Sequence, residues 1–198
     1  MPRPRVRLDH SAIAEAFAPD GLHGVSASQV ARRAGIAKPT LYAYGRSKDS
    51  VFLACVEAEV ERLLERLYEA QERTRELTAR QRIAALAQAV LEHGRNDPAA
   101  ARLLHQTARH RSSTVATDVD AALARLPARI AAALRHDTGP ELASQIGLAL
   151  VAAAGALALG DRADPGTTAS LLADAFSAAL HPDAPARDDA RVKTVGVY

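Results

Sequence analysis

Apolar residues recur at helical spacing along most of the chain, and period-two alternation is sustained nowhere, so the pattern predicts helices throughout. Ile13 and Phe17, four apart, mark one face of a first helix over about Leu8 to Phe17, which "PDGLHG" breaks. Ser26 followed by Gln29 has capping-box spacing and opens a second helix over about Ala27 to Arg33, with Val30 and Ala31 inward. Gly35 then falls where a helix end needs left-handed backbone. A third helix runs from near Ala37 to Gly45, with Pro39 in its first turn, where a missing N–H costs nothing. Ser47 caps a long helix reaching about Glu76, its apolar face formed by Phe52, Val56, Val60, Leu63, Leu64 and Leu67.

Helical spacing continues beyond. Ile83, Leu86, Ala87, Val90 and Leu91 form one stripe, stopped by Gly94, and "NDP" (96–98) opens the next, with Leu103 and Leu104. A longer stripe runs from Val115 to Leu134, with Pro127 inside it and a kink expected there. "DTGPE" starts an apolar helix to Leu159, and the last helix centres on Leu171, Leu172 and Phe176. From Pro182 periodicity vanishes, and the segment reads as a flexible tail. The fold class is therefore all-α. It comprises an N-terminal three-helix domain over 1–50 with a helix-turn-helix at about 26–45, a helical domain over 51–181, and a tail over 182–198.

Composition narrows this reading. Apolar residues make up 48% of the 198, mostly Ala and Leu, enough for a sizeable core. One cysteine excludes an intrachain disulfide framework, and Cys55 among Phe52, Val56 and Val60 reads as a buried small apolar residue rather than a redox sensor. "MPRPRVRLDH" leads into no apolar signal segment. The longest uncharged apolar run, Ile146–Leu159, falls short of the roughly 20 residues a membrane helix needs. A cytoplasmic protein without membrane attachment is expected. Net charge is only +2, yet residues 1–50 carry eight Lys/Arg against four Asp/Glu, and "RPRVR" (3–7) forms a basic arm suited to phosphate contacts.

Two short helices joined by a glycine-containing turn, with a helix before them, form a helix-turn-helix whose second helix reads DNA. There Lys38 supplies charge, Thr40 reaches base edges and Tyr42 and Tyr44 offer hydroxyls to phosphate, with Pro39 and Ala43 beside them and Leu41 anchoring the core. Ser26 at its cap, and Ser47 and Lys48 at the next helix start, are further phosphate donors. The competing reading packs the tyrosines between helices.

The stretch "AIAEAFAPDGLHGVSASQVARRAGIAKPTLYAYGRSKDSVF" resembles the N-terminal domain of TetR (tetracycline-repressor-like) transcriptional regulators. Phe17–Gly21, Ser26, Val30-Ala31, Ala34-Gly35-Ile36, Thr40-Leu41-Tyr42 and Ser47-Lys48-Asp49 carry the resemblance. Two positions depart. Ala37 stands where a Ser or Thr cap is usual, and Gly45 where the family has Phe. Losing that Phe predicts a looser link between recognition helix and body, and softer coupling to ligand.

The resemblance implies a body whose middle helices enclose a small-molecule pocket and whose last two form a four-helix homodimer interface. The run "IGLALVAAAGALALG", apolar on every face, suits such a partner; the competing reading is a central helix of a monomeric bundle. Pocket candidates are Leu86, Val90, Leu103, Leu104, Leu123, Leu126 and Ile130, with His105, Gln106, His110 and Arg129 as polar groups. Residues 77–160 contain no Phe, Tyr or Trp, so aliphatic walls favour a hydrophobic effector. No HExxH, CxxC, phosphate loop or GxSxG occurs, and His93 beside Gly94 and His136 beside Asp137 read as helix-end cations. The expectation is a non-enzymatic repressor, without cofactor or metal, that leaves a near-palindromic double-stranded operator when it binds its effector. A helical protein-interaction adaptor without sequence-specific DNA binding is the alternative.

Overall fold

Side-chain caps decide where this chain turns helical. The computed structural model describes residues 10–107, 114–158 and 164–180. In chain order they form α1 (His10–Phe17), α2 (Gly21–Gly24), α3 (Ala27–Arg33), α4 (Lys38–Leu41) and α5 (Lys48–Arg73). Then come α6 (Ala79–Asn96), α7 (Pro98–Thr107), α8 (Ala116–Thr138), α9 (Pro140–Ala158) and α10 (Pro165–Leu180), with no strand among the described residues. The arm at 3–7 and the segment from Pro182 lie outside the described residues.

Ser26 and Gln29 close a reciprocal capping box at α3, and Thr78 and Gln81 do the same at α6. At α5 the partner of Ser47 is a second serine, whose hydroxyl accepts from Ser47 N–H at 2.9 Å while Ser50 N–H donates to Ser47 Oγ at 3.1 Å. Each such cap is worth about 1 kcal/mol. Gly35 takes φ +68°, and the Ile36 N–H reaches the Ala31 carbonyl at 2.9 Å, the Schellman closure that turns the chain from α3 toward α4.

Four expectations change. "PDGLHG" contains the one-turn α2, held because Leu22 is wholly buried. Regular helix in α4 ends at Leu41, and the N–H groups of Ala43 and Tyr44 bond three residues back in tighter turns. α5 stops at Arg73 rather than near Glu76, with Thr74 Oγ1 donating to the Ala70 carbonyl at 2.7 Å. Gly94 does not stop α6. It is buried inside the helix, which ends at Asn96 because Pro98 pushes Asp97 out of helical geometry and Asp97 caps α7 through Ala100 N–H at 2.9 Å. α8 runs through Pro127 as one element.

A single apolar core joins the N-terminal helices to the body. Phe17 of α1 meets Phe52 of α5 edge-to-face, centroids 5.1 Å apart, and both are fully buried with Ile13, Leu22, Leu41 and Val56. Each such side chain contributes about 1.5–3 kcal/mol on burial. α1 packs on α3, α5 and α7, so the N-terminal unit rests directly on the body. Among the described residues no helix is long and apolar enough to cross a membrane.

Candidate nucleic-acid interface and effector cavity

The two tyrosines that the sequence groups together part company in space. Tyr42 is 39% exposed, whereas Tyr44 is half-buried, its ring edge-on to His10 of α1 with centroids 6.0 Å apart. Tyr44 thus packs against α1, and Tyr42 faces outward. Lys38, Pro39 and Ala43 are exposed beside it, and Thr40 is half-buried. Arg32 and Arg46, not singled out by the motif reading, are exposed on the same stretch of chain. Their signal was adjacency: Arg32 ends the capped α3, and Arg46 directly precedes the Ser47 cap. Arg33 differs, turning back to pair with Asp20 at 2.7 Å and to donate to the Ala16 carbonyl at 3.1 Å.

Several expected phosphate donors are already engaged. The Ser26 hydroxyl donates to Gln29 Oε1 at 2.7 Å, and Ser47 belongs to its own capping box. Lys48 is half-buried, its ammonium donating to the carbonyls of Leu22 at 2.6 Å and Val25 at 2.9 Å. It therefore closes the end of α2, with one N–H left over. At Gly45, where a looser link is expected, the chain comes close to α5. A Cβ there would stand 2.5 Å from Ser50 Oγ, 2.7 Å from Val51 N and 2.8 Å from Ser50 C. Gly45 lets the chain leaving α4 lie directly against the first turn of α5.

A cavity of about 440 Å³ lies among α5, α6, α7, α8 and α9. Its walls are aliphatic, including Leu63, Val90, Leu104, Leu123, Leu126 and Val151, so Val90 and Leu126 of the predicted set reach it along with Leu104 and Leu123. Leu86, Leu103 and Ile130 turn into the packed core instead. Arg129 lies over the Tyr68 ring at 5.0 Å and is not on the wall. The side chains of His105 and Gln106, and all of His110, lie outside the described residues.

The polar wall group nearest the core is His93, which sequence adjacency to Gly94 had suggested as a helix-end cation. It is 4% exposed, and burial foremost, with Arg66 nearby, pushes its imidazole down to about 4, so it stays neutral. Its Nε2 stands 3.9 Å from Oε2 of the fully buried Glu59, and neither atom has a hydrogen-bond partner among the described residues. Burial first, and Asp97 after it, raises Glu59 to about 7 against the opposing pull of Arg62. Arg62 holds the other Glu59 oxygen, donates to Ser11 Oγ of α1 at 3.1 Å and lies 3.7 Å from Asp97 Oδ2. No group of three His, Cys, Asp or Glu suited to a metal occurs among the described residues.

Residues 11–55 match the family described as bacterial regulatory proteins, tetR family. No curated protein matches the sequence. A TetR-like transcriptional regulator from Rhodococcus sp. RHA1 is similar over 91% of this chain and 98% of its own, with 27% identity and a TM-score of 0.71. The fatty acid degradation regulator FadR from Bacillus halodurans shares the fold at 15% identity over 84% of this chain and 95% of its own, TM-score 0.72. FadR from Bacillus subtilis, in complex with stearoyl-CoA, does so at 17% identity over the same shares, TM-score 0.65.

Proposed function

Because the chain belongs to the TetR family of bacterial regulatory proteins, we propose that it is a dimeric repressor that a small aliphatic effector releases from a near-palindromic operator. The observation that carries this reading is the outward row of Lys38 and Pro39 on the one-turn α4 and of Tyr42 and Ala43 just after it, between the Gly35 turn and the Gly45 contact. A short helix so placed presents its side chains to a major groove. Arg32 and Arg46 add charge for the flanking phosphates, and residues 1–50 form the DNA-binding domain of this reading.

The effector half of the proposal rests on the cavity. Aliphatic walls suit an apolar ligand, and the Bacillus subtilis relative holds an acyl-CoA in a similar fold. Leu63 on the cavity and the Ser47 cap at the DNA-facing end belong to one continuous helix, α5. A ligand that prefers one tilt of α5 thereby biases the spacing of two recognition helices, by no more than its differential affinity for the two states.

Selection of DNA fragments by the purified full-length protein tests the first half. The expected product is an inverted repeat with half-sites about one helical turn apart. Lys38→Ala should weaken binding to all sequences alike, and Thr40→Ala should chiefly relax preference at particular bases. Recovery of no enriched repeat would overturn the regulator reading and favour the adaptor.

A further inference from the structure

Directional bonds hold the N-terminal helices to α5 at two well-separated levels. At its start, Lys48 donates to the carbonyls of Leu22 and Val25 of the α2 segment. Roughly 21 Å further along the helix axis, Arg62 Nη1 donates to Ser11 Oγ, in the first turn of α1, at 3.1 Å. The same nitrogen lies 3.7 Å from Asp97 Oδ2, while Nη2 holds the fully buried Glu59, one turn back on α5. Asp97 stands between α6 and α7 and caps α7 through its other oxygen. One guanidinium thus meets the N-terminal unit, the long helix and the α6–α7 junction of the body. We propose that Arg62 is a positioning residue: it fixes the stance of the N-terminal unit on the body, and so sets the half-site spacing that the dimer accepts. This deepens the operator reading above and rests on it.

Apolar packing of Phe17 on Phe52 keeps the unit on the body, but such contact has no direction and resists separation better than rotation. Phe52 lies within the first two turns of α5, close to Lys48, so a unit held there alone can tilt about that end. A bond at the level of Arg62 is a second fixed point, and it opposes the tilt. The guanidinium suits this task because its donors diverge in fixed directions; Glu59 and Asp97 take up part of the fork and aim the rest at Ser11. A lysine ammonium keeps the charge but is a single point on a flexible stem. Tilting the unit carries α4 with it, since α1 packs on α3 and α3 on α4. Two recognition helices of one dimer engage paired half-sites together only when their separation matches, and the gain from pairing vanishes otherwise. A fixed stance therefore gives sharp spacing, and a tilting one tolerates several.

The test uses the operator recovered by fragment selection, versions with its half-sites moved apart or together by one base pair, and a DNA carrying a single half-site. The full-length parent should lose affinity steeply when the spacing changes. Ser11→Ala and Arg62→Lys should each blunt that discrimination by about tenfold, the scale of one charge-assisted hydrogen bond, with affinity for the single half-site held at the parent's value. In the double variant the two effects should not add, because both remove one contact. Circular dichroism checks that the variants are folded. A spacing preference unchanged in both variants, an equal loss on single and paired half-sites, or full additivity would each overturn the role of Arg62 and leave the regulator reading standing. A parent that selects no operator would bring down both.

Discussion

At Gly45 the absence of a side chain does structural work. Its site is unlike that of Gly35, where the backbone is left-handed but a Cβ would meet nothing within 4 Å. At Gly45 the obstacle is the α5 backbone itself, which cannot swing aside as a side chain can. Gly45→Ala should therefore destabilise the protein by about 1–3 kcal/mol, and Gly45→Phe by more, measured by chemical denaturation. A Phe variant as stable as the parent would show that the junction has room. The sequence displayed the glycine and the family's usual Phe, but not the contact, because the approach of Gly45 to Ser50 and Val51 depends on how the chain enters the Ser47 cap. Lys48 was opaque for a similar reason: its partners are carbonyls of α2, a one-turn helix that carries no periodic signal.

Among the helices, boundaries were legible where a residue's chemistry is local. Ser26 with Gln29, Gly35, Ser47, Pro98 and Pro140 each mark an end through their own backbone or cap. What failed were inferences needing the partner helix, above all His93, whose neighbour across the interface, Glu59, lies on α5. That pair gives α5 and α6 a characteristic acid response. Glu59, raised from 4.5 to about 7, keeps its proton in the folded state after the unfolded chain has lost it, so its contribution falls as pH rises through that range. His93, lowered from 6.5 to about 4, refuses the proton that the unfolded chain accepts, so its contribution falls as pH drops from 6.5 toward 4. The two slopes oppose each other between about 4.5 and 6.5. Arg62 and Asp97 face Glu59, and Arg66, Asp97 and Arg62 face His93, so each shift persists without the other member of the pair. Glu59→Gln should thus expose an acid-side loss of stability approaching about 1.4 kcal/mol per pH unit, and His93→Asn a loss with rising pH. Urea denaturation across that interval reads both; parallel curves for parent and variants would refute the paired titration.

For the whole molecule, the N-terminal unit is not a separate bead, since α1 touches α5 and α7 and Arg62 bonds to Ser11. Leu171 on α10 is 65% exposed and Leu148 on α9 is 61% exposed, large apolar groups on the two helices we propose as the homodimer interface. Leu171→Glu should yield a monomer in sedimentation that no longer binds a two-half-site operator; an unchanged dimer would place the interface elsewhere. The helices α8 and α9 also meet at a point of unusual closeness. A Cβ on Gly147 would stand 2.4 Å from the carbonyl oxygen of Pro127, so α9 can rest there only because Gly147 has none. Every cavity residue of α9 (Leu148, Val151, Ala152) follows that point, and every one of α8 (Asp120, Leu123, Ala124, Leu126) leads up to Pro127 itself. Gly147 on Pro127 is in effect the pivot of a pair of calipers: the bore of the cavity is set by the angle at which two helices cross a single glycine.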